Sequence, residues 1–327
     1  MNGMTGRRCW GFRLAAAALL PALLVSGCAS TCIDSAKRLA PLGKEVSAKV
    51  VGNIFATDDE FQRAMDAEAF LNGLGGQKIP QQLLENELLI QSELTARKRV
   101  FDSLGEAYDA WAALASVNAA GDAQTALNDL GDAVNAYAKA LGKGAVMSAP
   151  EKDAIARIGG WVASAVQKRK VVKSSALIRD CLREFAALLE DPRVRMQMTT
   201  FRATLVENRL AALQDLWNRR LIDPTPLIDQ LGDEVGLKAT KDAAKNINDV
   251  ARSGLTQVVE NRFARKAAAI ERGYDVSVKT IKTLIAKHEK LERDGDVDLA
   301  ELRQAVAELR QVNMLLVAET GKTATLE

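Results

Sequence analysis

LTARKRVFDSLGEAYDAWAALASVNAAGDAQTALNDLGDAVNAYAKAL, residues 94–141, decides the fold. In its first half Leu94, Phe101, Leu104, Tyr108, Trp111 and Ala115 fall at spacings of 7, 3, 4, 3 and 4. In its second half Ala123, Leu127, Leu130, Val134, Tyr137 and Leu141 fall at 4, 3, 4, 3 and 4. Apolar residues alternating three and four apart form one stripe of a helix, the seam along which helices pack in coiled coils. Only Asn118-Ala119-Ala120-Gly121-Asp122 separates the two seams, and so short a turn implies an antiparallel helical hairpin. The first helix extends back to about residue 81, and Gly142-Lys143-Gly144 closes the second.

The same periodicity continues in both directions. Downstream, Ser148-Ala149-Pro150-Glu151 has the form of a capping box, followed by Ile155, Ile158, Val162 and Val166, then Ile178, Cys181, Leu182, Phe185 and Leu189. Asp191-Pro192 breaks that stretch, and Val206, Leu210, Leu213 and Trp217 mark the inner face of a further helix. Asp223-Pro224-Thr225-Pro226 reads as a linker. From about 239 to 293 the chain reads as one helix, roughly 80 Å long if unbroken, with a seam at Ala267, Ile270, Tyr274, Ser277, Ile281, Leu284, His288 and Leu291. Asp298 caps a last helix facing back through Leu302, Val306, Leu309 and Leu316. Upstream, Leu42, Val46, Val50 and Ile54 are four apart, and Thr57-Asp58-Asp59-Glu60 has the form of a cap opening a helix that Gly-rich residues 73–76 end. No alternating strand pattern occurs, and aromatics make up only 5% of the chain. The expectation is an all-α fold, long antiparallel helices forming a helical bundle with coiled-coil-like hairpins. Residues 57–222 form the bundle. Residues 223–327 form a long hairpin, either separate or part of the same domain.

The amino terminus carries Arg7, Arg8 and Arg13 and no acid, then a run from Leu14 to Val25 that is apolar or small apart from Pro21. A span needs roughly 20 apolar residues, so this run is too short for a stable transmembrane helix and has the form of a secretory signal. Val25-Ser26-Gly27-Cys28 resembles the lipobox of bacterial lipoproteins. That resemblance implies removal of residues 1–27, a diacylglyceryl thioether on Cys28, and a lipidated tether within residues 28–56 ahead of the bundle. Two or three acyl chains hold such a protein on its membrane, at about 0.8 kcal/mol per buried CH₂. Ala29 in place of Asp resembles the default destination, the periplasmic face of the outer membrane.

Three of the 44 basic residues belong to the signal, which leaves 41 against 42 acids. No excess of positive charge remains to suggest a nucleic-acid partner. Once Cys9 leaves with the signal and Cys28 is acylated, Cys32 and Cys181 remain in a compartment where disulfides persist, which invites a bridge between them.

Motifs of catalysis are sparse. His288 is the only histidine, and its seam position reads as a polar residue in a helix–helix interface. No Gly-x-Ser-x-Gly elbow accompanies it. Asp294, Asp296 and Asp298 alternate like a calcium loop, but Leu299 and Ala305 stand where such a loop needs Gly and Glu. Gly321-Lys322-Thr323 lacks the first glycine and the preceding strand of a phosphate loop. Lys168-Arg169-Lys170 and Arg97-Lys98-Arg99 read as solvated faces, with contact to anionic lipid as the alternative. No metal or cofactor is expected. The favoured reading is a non-enzymatic structural or interaction role, anchored to the membrane through Cys28 and directed at an envelope protein partner. The alternative is a carrier of an apolar small molecule or lipid between helices. A large closed cavity would favour the carrier, and a solid core with an exposed groove the interaction protein. Val258, Val259 and Phe263 lie beyond the reach of the returning C-terminal helix, about 30 Å long, and are the candidate interaction surface. Packing against the preceding helices is their alternative role.

Replacing Cys28 with Ser should abolish acylation and leave uncleaved or soluble protein. Equal incorporation of labelled palmitate into the Cys28→Ser chain would contradict the tether.

Overall fold

A computed structural model describes residues 11–117, 120–148, 155, 158, 163–233, 236–238 and 247–319, with side chains from Ser30 onward except at 83, 117, 198–199, 201–203, 205 and 317–319. Eight helices and no strand occur among the described residues: α1 (Gly11–Leu74), α2 (Gln81–Val117), α3 (Ala120–Ala140), α4 (Ala163–Leu189), α5 (Pro192–Asn218), α6 (Thr225–Asp233), α7 (Asp249–Asp294) and α8 (Ala300–Glu319). The fold is all-α, as expected. All twelve seam residues quoted for α2 and α3 are buried, as are Leu302, Val306, Leu309 and Leu316 of α8. Of the eight seam positions on α7, seven are buried and Tyr274 is half-buried.

Helix α1 is the axis of the assembly. It packs against α2, α4, α5, α7 and α8, while α3 packs on α2 and α4. Its buried side runs through Cys32, Ala36, Leu39, Gly43, Val46, Val50, Asn53, Thr57, Glu60 and Ala64, spaced 4, 3, 4, 3, 4, 3, 4, 3 and 4. That is a heptad seam in which small and polar residues replace part of the usual aliphatic set.

This seam corrects two expectations. Residues 29–41, read as a short tether ahead of the amphipathic stretch at Leu42–Ile54, are helix continuous with that stretch and packed into the core from Cys32 onward, and no helix begins at Thr57. Thr57 Oγ1 donates to Asn53 O one turn back, 2.9 Å away, as a mid-helix hydroxyl does. Glu60 turns inward to cations from other helices instead of back to a helix start. Pro41 is tolerated because it faces solvent, as does Lys37, whose carbonyl loses its intrahelical donor and stays open to water.

Local signals explain the other boundaries. Gly76 at φ 67° and Gln77 N bonded to Asn72 O, 3.0 Å, close α1. Asp191 caps α5 by accepting from Arg193 N at 2.9 Å, with Pro192 where a missing N–H costs nothing. The Asp223–Pro226 segment is less a linker than a helix start, since Asp223 Oδ1 accepts from Thr225 N and α6 follows. Helix α7 begins later than expected, at Asp249 behind the cap Asn248, and ends at Gly295 in the left-handed conformation. Residues 239–246, expected within that helix, and most of the Ser148–Glu151 cap lie outside the described residues. Ile155 is buried in a turn, and Ile158 is not helical.

Alanine in a helix ordinarily outperforms glycine by about 1 kcal/mol. At Gly43 the sign should reverse. A Cβ there would fall inside the ring of Tyr108, which is fully buried. Gly43→Ala should lower stability by about 1–3 kcal/mol through overpacking, read by chemical denaturation. A stabilised Gly43→Ala chain would refute this close approach of α1 and α2.

Candidate functional site

Polar residues buried at helix junctions come first. Tyr108 and Trp111 of α2, Ser175 of α4 and His288 of α7 meet in one clasp. Tyr108 Oη lies 2.9 Å from His288 Nε2, and Ser175 Oγ 2.8 Å from Nδ1. Ser175 donates its own proton to Glu292 Oε1, 3.3 Å away, so its oxygen accepts from Nδ1–H, and Nε2 accepts the Tyr108 hydroxyl. Glu292 is held in turn by Arg179. The only basic lone pair of His288 is therefore occupied by tyrosine, and Ser175 is not activated by it. Burial lowers the His288 pKa from 6.5 to about 3, with a smaller push from Arg179. As its seam position suggested, the histidine is a neutral interface residue.

Glu60 is a second junction. Its Oε1 lies 2.5 Å from Lys266 Nζ, and its other oxygen meets Arg209, so α1, α5 and α7 share one buried charge cluster. The Arg209 guanidinium covers the Phe263 ring at 4.2 Å. Phe263 is thus packed against α5, and Val258 and Val259 are half-buried, so Phe263 takes up the intramolecular alternative stated for this patch.

Arg97 forms a third. It is buried, stacks 5.6 Å from the rings of both Tyr137 and Tyr274, and donates to Tyr137 Oη from Nε and Nη2. Lys170 is buried too. The Arg97–Arg99 and Lys168–Lys170 runs are therefore not continuous basic faces. Among the described residues no three acidic, cysteine or histidine side chains converge on a point, and no helix is long and apolar enough to cross a membrane.

The side chain of Cys28 lies outside the described ones. Cys32 and Cys181 are buried free thiols, so the bridge that the cysteine count invited is not formed. Cys32 faces the α7–α8 turn at Gly295 and feels the charge of Lys168. Cys181 lies 13 residues beyond Lys168 on α4, about 20 Å of helical rise, whereas bridged Cα atoms must approach within about 7 Å. Burial pushes both thiols up, Cys181 to about 12.

Open space is distributed unevenly. The interior holds a small cavity of about 30 Å³ beside Asn53, Arg97 and Tyr274. Two larger grooves are open to solvent. One, about 550 Å³, lies where α4, α5, α7 and α8 meet. Its charges are already paired, Lys282 with Glu190 at 2.6 Å, Lys279 with Glu308 at 3.1 Å and Arg195 with Asp275 at 3.6 Å. The other, about 420 Å³, runs between α1, α2 and α5. Phe61, Met65 and Ile90 form its apolar floor, Glu68 and Glu87 its acidic rim, and Met196 its outer wall. It lies at the tip of the α1–α2 hairpin, where no described side chain between Met65 and Glu93 is buried. Leu84, Leu88, Leu89 and Met196 there are 43%, 65%, 47% and 64% exposed. Of these only Met196 lines the groove; its exposure beside the apolar floor marks this second groove as the candidate site. Sequence reading passed over it, because Phe61, Met65, Ile90 and Met196 come together from three helices distant in sequence.

Comparison with family models, curated proteins and solved structures gives no match to this chain.

The neutral clasp sets a pH dependence. Between pH 6.5 and about 3 the unfolded chain binds a proton at His288 that the folded chain does not. Stability is therefore lost as pH falls from 6.5, by about 1.4 kcal/mol per unit for this one group. His288→Gln removes the titration, so its loss of stability from pH 7 to pH 5 should be about 2 kcal/mol smaller than that of the parent. Equal slopes in urea titrations would mean that His288 is not held neutral.

Proposed function

We propose that the chain is a lipid-anchored protein of the bacterial envelope, held through Cys28 on the periplasmic face of the outer membrane. On this reading its helical body works by offering a surface to another envelope protein, with no chemistry of its own. The contrast between the small cavity among the described buried side chains and the larger open groove carries the reading. The buried cavity, about 30 Å³, is far below the several hundred Å³ a small-molecule pocket requires. A lipid carrier would need an enclosed space matched to an acyl chain. The hairpin-tip groove instead opens an apolar floor of Phe61, Met65 and Ile90 beside the exposed Met196, a pattern that marks contact surfaces.

The test is site-specific photocrosslinking in intact envelopes, with the reactive group placed at Asn86 or Met196 in the groove and, as control, at the exposed Glu184. The reading expects a discrete protein adduct from the first two positions and none from Glu184. Adducts to lipid alone, or the same adducts from all three positions, would overturn it.

A further inference from the structure

The groove at the hairpin tip has a definite chemistry, and that chemistry selects an occupant. We propose that it docks a basic amphipathic helix of about three turns, presented by another protein. The partner's compartment rests on the reading above, but the groove chemistry does not.

Length comes first. Along α5 the wall is formed by Met196, Thr200, Thr204 and Asn208, each four residues from the next. That is about 18 Å of helix, the length of about 12 residues of a partner helix laid alongside. A groove between helices with an apolar floor is the ordinary seat of an amphipathic helix, whose i, i+3, i+4 and i+7 side chains enter it.

Charge comes second. Among the described lining residues the charged ones are Glu68, which accepts from Asn208 Nδ2 at 2.9 Å, and Glu87. Asp66 and Glu85 stand exposed on the same two helices, and from 66 to 92 the single base is Lys78. An acidic rim around an apolar floor favours a partner whose apolar stripe is flanked by Lys or Arg, and it repels anionic lipid headgroups.

Position comes third. Leu74 lies 46 residues beyond Cys28 on one helix, about 70 Å of helical rise. If Cys28 carries the anchor, the groove stands at the far end of the molecule from it. The membrane that holds the protein is therefore a poor occupant for the tip.

The experiment titrates purified full-length chain into three fluorescent helical peptides of about 18 residues. One carries a leucine stripe flanked by lysines, the second the same stripe flanked by glutamates, and the third the lysine composition with the stripe scrambled. The lysine peptide should bind at least about tenfold tighter than either of the others, measured by anisotropy. Glu87→Lys should weaken it about tenfold and improve the glutamate peptide, and Met196→Ser should weaken both. Glu87 and Met196 lie at the groove's edge, so a melting curve like the parent's should accompany each loss. Equal binding of the lysine and glutamate peptides, or no binding, overturns the proposal. So does binding that both substitutions leave unchanged. Anionic vesicles bound in a Met196-dependent way would assign the groove to lipid. A dimer in sedimentation that Glu87→Lys dissociates would assign it to a second copy. Loss of palmitate labelling at Cys28 with peptide binding intact would remove the anchor and leave the groove standing. The reverse result would remove only the groove.

Discussion

Everything in this molecule depends on one helix having to satisfy five neighbours at once. Helix α1 meets α2, α4, α5, α7 and α8, and its buried stripe cannot be uniformly aliphatic because those neighbours approach at different depths and with different chemistry. Gly43 lets the Tyr108 ring lie against the backbone, Glu60 collects cations from α5 and α7, and Asn53 faces the small cavity. Glycine in a helix interior and an ionised carboxylate in a core both cost stability on their own. They persist here because each is the local answer to a specific neighbour. Removing Glu60 would leave the buried Lys266 ammonium without its carboxylate, the expensive way to break such a cluster.

The hairpin of α2 and α3 was legible because its seam is written in large apolar residues at strict spacing, and every one of those residues is buried. The seam of α1 has the same spacing over a longer run, but the reading of Leu42, Val46, Val50 and Ile54 at a constant spacing of four met it only at Val46 and Val50. Where the stripe passes through Ser47, Asn53, Thr57 and Glu60 it no longer looks apolar, and Thr57 through Glu60 imitates a helix start. Sequence cannot distinguish a hydroxyl and carboxylate three residues apart at a cap from the same pair buried mid-helix. The difference lies in Lys266 and Arg209, which stand far along the chain. Arg97 was misread for a similar reason. Its neighbours Lys98 and Arg99 are charged, but the faces of Tyr137 and Tyr274 that enclose its guanidinium are distant in sequence.

Exposure of the candidate groove is a tertiary property as well. Leu84, Leu88 and Leu89 of early α2 remain in solvent because, among the described helices, α5 comes alongside the tip on the side of Asn86, Glu87 and Ile90. Conversely, Val258 and Phe263 looked unpartnered because the helix that follows them in sequence is too short to reach them. Arg209 of α5 instead covers Phe263 from an earlier part of the chain. Chain reach can say which side chains a neighbouring element leaves bare. It cannot say which distant element arrives to cover them.

The pairing of Asn53 with Gly273 has a consequence for how the helices choose their alignment. A Cβ on Gly273 would collide with the Asn53 amide, whose nitrogen and oxygen make no hydrogen bond to described protein atoms. An asparagine in a seam costs stability yet selects one alignment of helices over its neighbours, because any other alignment treats it worse. Sliding α7 by one turn along α1 would bring Ile270 or Ser277 opposite the amide in place of the one residue without a side chain. The asparagine and the glycine act together as a notch and key. They contribute little to how tightly α1 and α7 hold, and much to where along their length they stop.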